Sequence, residues 1–202
     1  GADQAPEPLF SAEVAGAVTF EAVETDDAVG FAVRAVGALA PGLAAEQSML
    51  AQGPDLRGLV TGRCAGPARE HWFVGGSGTV GRRGRLVLSN PTSVPAVVDV
   101  SVWNESGPVD APATEDIAVP ALGQQVLLLD ALDPGAERVS VRVSASQGRV
   151  AAALEVRETD ELDPQGVTFV PAAAEPSTDV VVPGVPAHGE RTLQILAPGD
   201  TD

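Results

Sequence analysis

From about residue 70 the chain alternates apolar and polar side chains one for one, the period of antiparallel strands that bury one face and wet the other. Val98, Val100 and Val102 oppose Asp99 and Ser101, and Val139, Val141 and Val143 oppose Ser140, Arg142 and Ser144. Val150, Ala152, Leu154 and Val156 repeat the pattern just before an acidic stretch. Shorter strands are expected at 71–74, 85–89, 125–130 and 167–170. Asn90-Pro91, Ser106-Gly107-Pro108, Asp133-Pro134-Gly135 and Gln147-Gly148 supply turns between them, at the roughly 8–12 residue spacing of a sandwich. The first third reads differently. Good helix formers between Pro41-Gly42 and Gly53-Pro54 predict one short helix over 43–52, and two strands, 18–23 and 31–36, flank an acidic turn at 24–30.

An internal echo organises the rest. Trp72-Phe73-Val74, then Leu86-x-Leu88 and Pro91, returns as Val180-Val181-Val182, then Leu193-x-Ile195 and Pro198. Leu86 and Leu193 stand 107 positions apart, as do Pro91 and Pro198, about the length of one sandwich. The expected fold is therefore all-β: immunoglobulin-like antiparallel β-sandwich modules, one complete and one partial, with at most a short helix. Residues 1–57 are expected to form an N-terminal β segment with that helix, either on its own or as part of a sandwich, 58–175 the immunoglobulin-like sandwich, and 176–202 either to begin a second repeat or to supply strands that complete the first.

Composition narrows the partners. The 202 residues carry 28 acidic and 12 basic side chains, a formal net charge of −16, so nucleic acid and anionic lipid are poor ligands. All twelve basic residues are arginine, and with the surplus of Ala, Gly, Val and Pro this reads as a coding bias towards GC. Tyrosine is absent and only five Phe and two Trp occur, few platforms for a sugar or nucleobase. Cys64 is the only cysteine, which rules out an internal disulfide or a thiolate metal cluster. No apolar run reaches the ~18 residues of a membrane span, so no insertion is expected within this chain. Gly1-Ala2 reads as a processed end or tag scar, with any signal peptide or anchor lying outside the chain, and the Pro-containing start suits a spacer.

Glu70-His71-Trp72-Phe73-Val74-Gly75-Gly76, Arg85-Leu86-Val87-Leu88-Ser89-Asn90-Pro91, Ala96-Val97-Val98-Asp99-Val100 and Gly148-Arg149-Val150-Ala151-Ala152-Ala153-Leu154 together resemble an uncharacterised actinobacterial family. Its members are secreted or membrane-anchored proteins of unknown function. The resemblance, over about residues 58–200, implies repeated β-sandwich modules, an extracytoplasmic location and a link to cell-envelope glycan assembly. It transfers no catalytic residue.

Candidate chemistry is sparse. Gly76-Ser77-Gly78-Thr79-Val80-Gly81 matches G-x-G-x-x-G, but a dinucleotide site needs a helix opening at the last glycine, and here Arg82-Arg83-Gly84-Arg85 leads into another strand. A hairpin loop is expected instead. Arg82, Arg83 and Arg85, with His71 and Trp72, are the binding candidates: guanidinium groups on a Gly-rich loop suit a carboxylate or phosphate. The competing reading pairs them with the chain's own carboxylates. Glu155, Glu158, Asp160, Glu161 and Asp163 crowd one strand end without EF-hand spacing, so no metal is assigned. His71 and His188 lie outside any zinc or hydrolase motif. Both tryptophans, Trp72 and Trp103, are expected to pack between the sheets.

These readings lead to a non-catalytic extracytoplasmic structural or protein-interaction module of the bacterial cell envelope, with no cofactor, secreted or anchored through a segment outside this chain. The alternative is a glycan-binding accessory module in envelope polysaccharide assembly. Its partners are accordingly an envelope protein or a cell-wall glycan.

Overall fold

The computed structural model describes residues 8, 11, 13, 16, 20–22, 30–182, 184, 187–189 and 191–199. The chain divides into two units, Gly1–Ala45 and Glu46–Asp202. In the first, the regular element among the described residues is a 3₁₀ turn over Gly37–Gly42. The strand expected at 31–36 does not form there: Phe31, Val33 and Val36 are exposed, and no ladder holds them. Most of its expected partner, 18–23, and of the acidic turn at 24–30 lies outside the described residues.

The second unit begins with a ribbon, β1 (Glu46–Gln52) and β2 (Arg57–Arg63), paired in unbroken antiparallel register from Glu46↔Arg63 to Gln52↔Arg57. Here the structure corrects the helix expected over 43–52. Helix propensity is a weak prior, and a complementary strand four residues away satisfies the same backbone groups in a hairpin closed by Gly53 N–H donating to the Leu56 carbonyl at 3.0 Å. The inner face of β2 presents Gly58, Val60 and Gly62. A Cβ at Gly62 would stand 2.9 Å from the Phe169 ring, and one at Gly58 3.6 Å from the Val167 backbone. These two glycines let the ribbon lie against β12 (Asp163–Val170).

Ten further strands build a sandwich of two antiparallel sheets: β3 (Glu70–Gly76), β4 (Gly78–Thr79), β5 (Arg82–Ser89), β6 (Ala96–Asn104), β7 (Gly107–Val109), β8 (Ile117–Val119), β9 (Gln124–Leu128), β10 (Val139–Gln147), β11 (Ala151–Asp160) and β12. The first sheet runs β3-β10-β6, with β7 and β8 on opposite ends of the far edge of β6. The second runs β12-β11-β5, with β4 and β9 sharing the far edge of β5 in the same manner. The all-β, antiparallel reading of the alternating positions thus describes the molecule. Val98, Val100, Val102, Val139, Val141 and Val143 of the first sheet pack with Leu86, Leu88 and Leu154 of the second in one core, all essentially without solvent contact.

A single helical turn, α1 (Leu129–Leu132), plugs one end of this core with Leu129. It can do so because the β4–β5 hairpin is built from glycine: a Cβ at Gly84 would stand 2.5 Å from Leu129 Cδ1, and one at Gly78 2.3 Å from the Asp133 carbonyl oxygen. The G-x-G-x-x-G run is this hairpin, as expected. At the other end Asn90 locks the crossing from β5 to β6. Its Oδ1 accepts from the Thr92 N–H at 3.0 Å and hydroxyl at 2.7 Å, and its Nδ2 donates to the carbonyls of Val94 and Val119 at 2.8 and 3.2 Å.

After β12 the chain continues without strands among the described residues. Val180–Val182 and Leu193–Ile195, which echo the first sandwich in sequence, have no ladder partner here, and Val180, Val181, Val182, Leu193 and Ile195 are exposed. The segment is nevertheless attached. Ala173 N–H donates to the Trp72 carbonyl at 2.7 Å, and Gln194 Nε2 donates to the Val139 carbonyl and the Ser140 hydroxyl, both at 3.3 Å.

Candidate functional site

The alternation of β5 separates the three arginines that are close in sequence. Arg83 and Arg85 leave the outer face of the second sheet, while Arg82 sits on the other side at the hairpin end. In register, Arg82 stands opposite Glu158 and Arg85 opposite Glu155 on β11, so each meets an acidic neighbour across the strand. Arg82 Nε lies 3.1 Å from Glu158, and its Nη2 donates to the Gly75 carbonyl at 3.2 Å. Arg85 approaches Glu155 at 3.5 Å, and Arg157 donates to the same carboxylate. Arg83 faces Arg157 across the ladder and turns instead to Asp130, 3.7 Å away. Glu155 is buried because these two arginines cover it.

His71 and Trp72 belong to β3 in the other sheet, so the five candidate residues do not converge. His71 faces the core, buried, and its Nε2 donates to the Val150 carbonyl at 2.8 Å. Trp72 takes the opposite face. It stands across from Arg142, whereas the inward Val141 stands across from Phe73. Trp103, opposite Ser140, emerges on the same outer face, and the two indoles stack with centroids 5.7 Å apart. They are only 4% and 7% exposed, yet neither belongs to the core between the sheets. This corrects their expected position: they are buried on the outside of the first sheet.

A polar network secures them. The Arg142 guanidinium lies 5.3 Å from the Trp72 ring centroid and meets both Glu70 oxygens, at 3.3 and 3.4 Å. Trp72 Nε1 donates to Glu70 Oε1 at 2.5 Å. Both indoles are committed to internal stacking, so no tryptophan offers a free ring to a sugar.

Surface features among the described residues include a cleft and a ribbon face. A polar cleft of about 600 Å³ lies beside the β4–β5 hairpin, lined among others by Thr79, Arg82, Arg138, Thr192 and Gln194. On the ribbon, Leu50 and Leu59 stand directly opposite each other on the face turned away from β12, 64% and 68% exposed.

A family model described as a family of unknown function, DUF5719, matches residues 18–202. The chain belongs to the DUF5719 family. No curated protein matches it. A solved structure, that of Thermotoga maritima 1070, is similar over 54% of this chain and 95% of its own, with 18% identity and a TM-score of 0.44.

For this DUF5719 member, the sequence reading missed Glu70, Arg142 and Trp103 as one cluster. The signal was there in part: Glu70 and Trp72 are two apart on a strand and so share a face, and Arg142 interrupts a valine series on its polar side. The register joining them spans about seventy residues and is not local. The ribbon leucines were hidden by the helix expectation. Cys64 is free and exposed just beyond β2.

Proposed function

We propose that the chain is a non-catalytic extracytoplasmic module of a bacterial cell envelope that presents the exposed Leu50–Leu59 pair, set among polar residues on the outer face of the β1–β2 ribbon, to another protein. The observation that carries this reading is the Leu50–Leu59 pair, two large apolar side chains side by side in solvent on a ribbon whose other face is occupied by β12. A non-catalytic role is supported by His71, whose ring is buried and held by a backbone carbonyl. The envelope location rests on the family resemblance described above, including its actinobacterial, secreted or membrane-anchored character.

The second reading, a glycan-binding accessory module, is favoured by the cleft with Arg82 and Arg138 on its wall, groups that suit a carboxylated or phosphorylated sugar. It is weakened by the burial of both tryptophans.

Co-sedimentation with isolated envelope fractions, with and without their polysaccharide, separates the two. The interaction reading expects binding that survives polysaccharide removal and falls at least ~10-fold, about 1.4 kcal/mol, in the Leu50→Glu/Leu59→Glu double variant. Binding that disappears with the polysaccharide and with Arg82→Ala/Arg138→Ala, while the leucine variant binds normally, would replace it with the glycan reading. No binding to any fraction would remove both.

A further inference from the structure

The outer face of the second sheet carries an arrangement that strand pairing by itself disfavours. Arg83 on β5 and Arg157 on β11 stand directly opposite each other in the ladder, and like charges so placed repel. Arg85 lies two residues along β5 on the same face, so three guanidinium groups meet two carboxylates there, Glu155 and Asp130. Three cations and two anions leave one positive charge, in a chain whose net charge is −16. The carboxylates are also unevenly shared. Glu155 is buried and takes Arg85 and Arg157 together, whereas Arg83 stands 3.7 Å from Asp130, beyond hydrogen-bonding distance. Among the described residues no hydrogen bond engages the Arg83 guanidinium, and its side chain is 61% exposed.

An anion between two opposed arginines turns their repulsion into attraction. Directly opposed residues hold their Cβ atoms about 4.5–5.5 Å apart, within reach of one small group, and each planar guanidinium presents N–H donors that match carboxylate or phosphate oxygens. We propose that Arg83 and Arg157 together hold one oxyanion, a carboxylate or phosphate group of a ligand, on the outer face of the second sheet. Arg85 keeps the Glu155 charge occupied beneath it, so that Arg157 can turn a donor outwards. The site uses neither the ribbon leucines nor the arginines of the cleft, and goes beyond both readings given for them.

Titration of the chain with sodium phosphate or sodium acetate, against sodium chloride at matched ionic strength, tests this through the arginine Nε–H resonances. The Arg83 and Arg157 signals are expected to move saturably with at least one of the two oxyanions and not with chloride. A response to acetate alone assigns a carboxylate to the site, and a response to phosphate alone a phosphate. Arg83→Gln and, separately, Arg157→Gln are each expected to weaken binding at least ~10-fold, the worth of a hydrogen bond to a charged group. Arg149→Gln, at an exposed arginine between β10 and β11, leaves it unchanged. Signals that follow chloride as closely as the oxyanions, or equal losses in all three variants, would overturn the proposal, because the arginines would then be sensing ionic strength. Full affinity in the Arg83→Gln variant would overturn it as well.

Discussion

Leu129 reaches the core because glycines stand where neighbouring side chains would otherwise be. With Gly84 and Gly76 against it, its side chain has no solvent contact, and the surrounding strands have little freedom to collapse into the space if it is shortened. Leu129→Ala is expected to cost about 2–5 kcal/mol, measured by denaturant unfolding. Asn90 is the polar counterpart. Asn90 is itself buried, its amide satisfies two carbonyls and its oxygen two donors from Thr92, so Asn90→Ala leaves the buried Val119 carbonyl without this donor and should cost about 1–3 kcal/mol. The Glu70–Arg142–Trp72 contacts differ in kind, because they tie the stacked indoles down on an outer face rather than filling the space between sheets.

Among the elements, those with strict alternation were legible in the sequence, since burial follows the pleat directly. Val98–Val100–Val102 and Val139–Val141–Val143 are inward as the pattern requires. β3 was legible as a strand but not in its facing. His71, Trp72 and Phe73 are consecutive bulky residues, and period-two reasoning cannot choose a side when both sides look alike. β1 was misread because its composition favours a helix, and only its pairing with β2 decides otherwise. The arginines were legible as a cluster, and so was the competing reading that they pair internally. Which carboxylates they meet depends on the β5–β11 register, which no local window contains. The ribbon's seat on β12 depends on a missing side chain at Gly62. Gly62→Val should push against Phe169 and loosen the ribbon. Protease cleavage in the 53–56 turn is then expected to accelerate while the cooperative unfolding of the sandwich persists.

For the whole molecule, charge and topology impose separate conditions. With 28 acidic and 12 basic residues, arginine is the scarcer partner, and the ion pairs on the second sheet draw Arg82, Arg83, Arg85 and Arg157 towards the molecule's own carboxylates. The remaining acidic surplus keeps the surface anionic, which favours solubility and makes neutral or apolar contacts, such as the ribbon leucines, the more natural meeting points with a protein partner. The topology acts in time. β3 has its ladder neighbour in β10, and β5 has β11, so each early strand pairs with one made about seventy residues later. At about 5–20 residues per second of synthesis, β3 waits several seconds for its partner. Throughout that interval the nascent chain holds half-apolar strands with open edges, and a chaperone or export machinery that keeps it extended would be in step with the order in which its sheets can close.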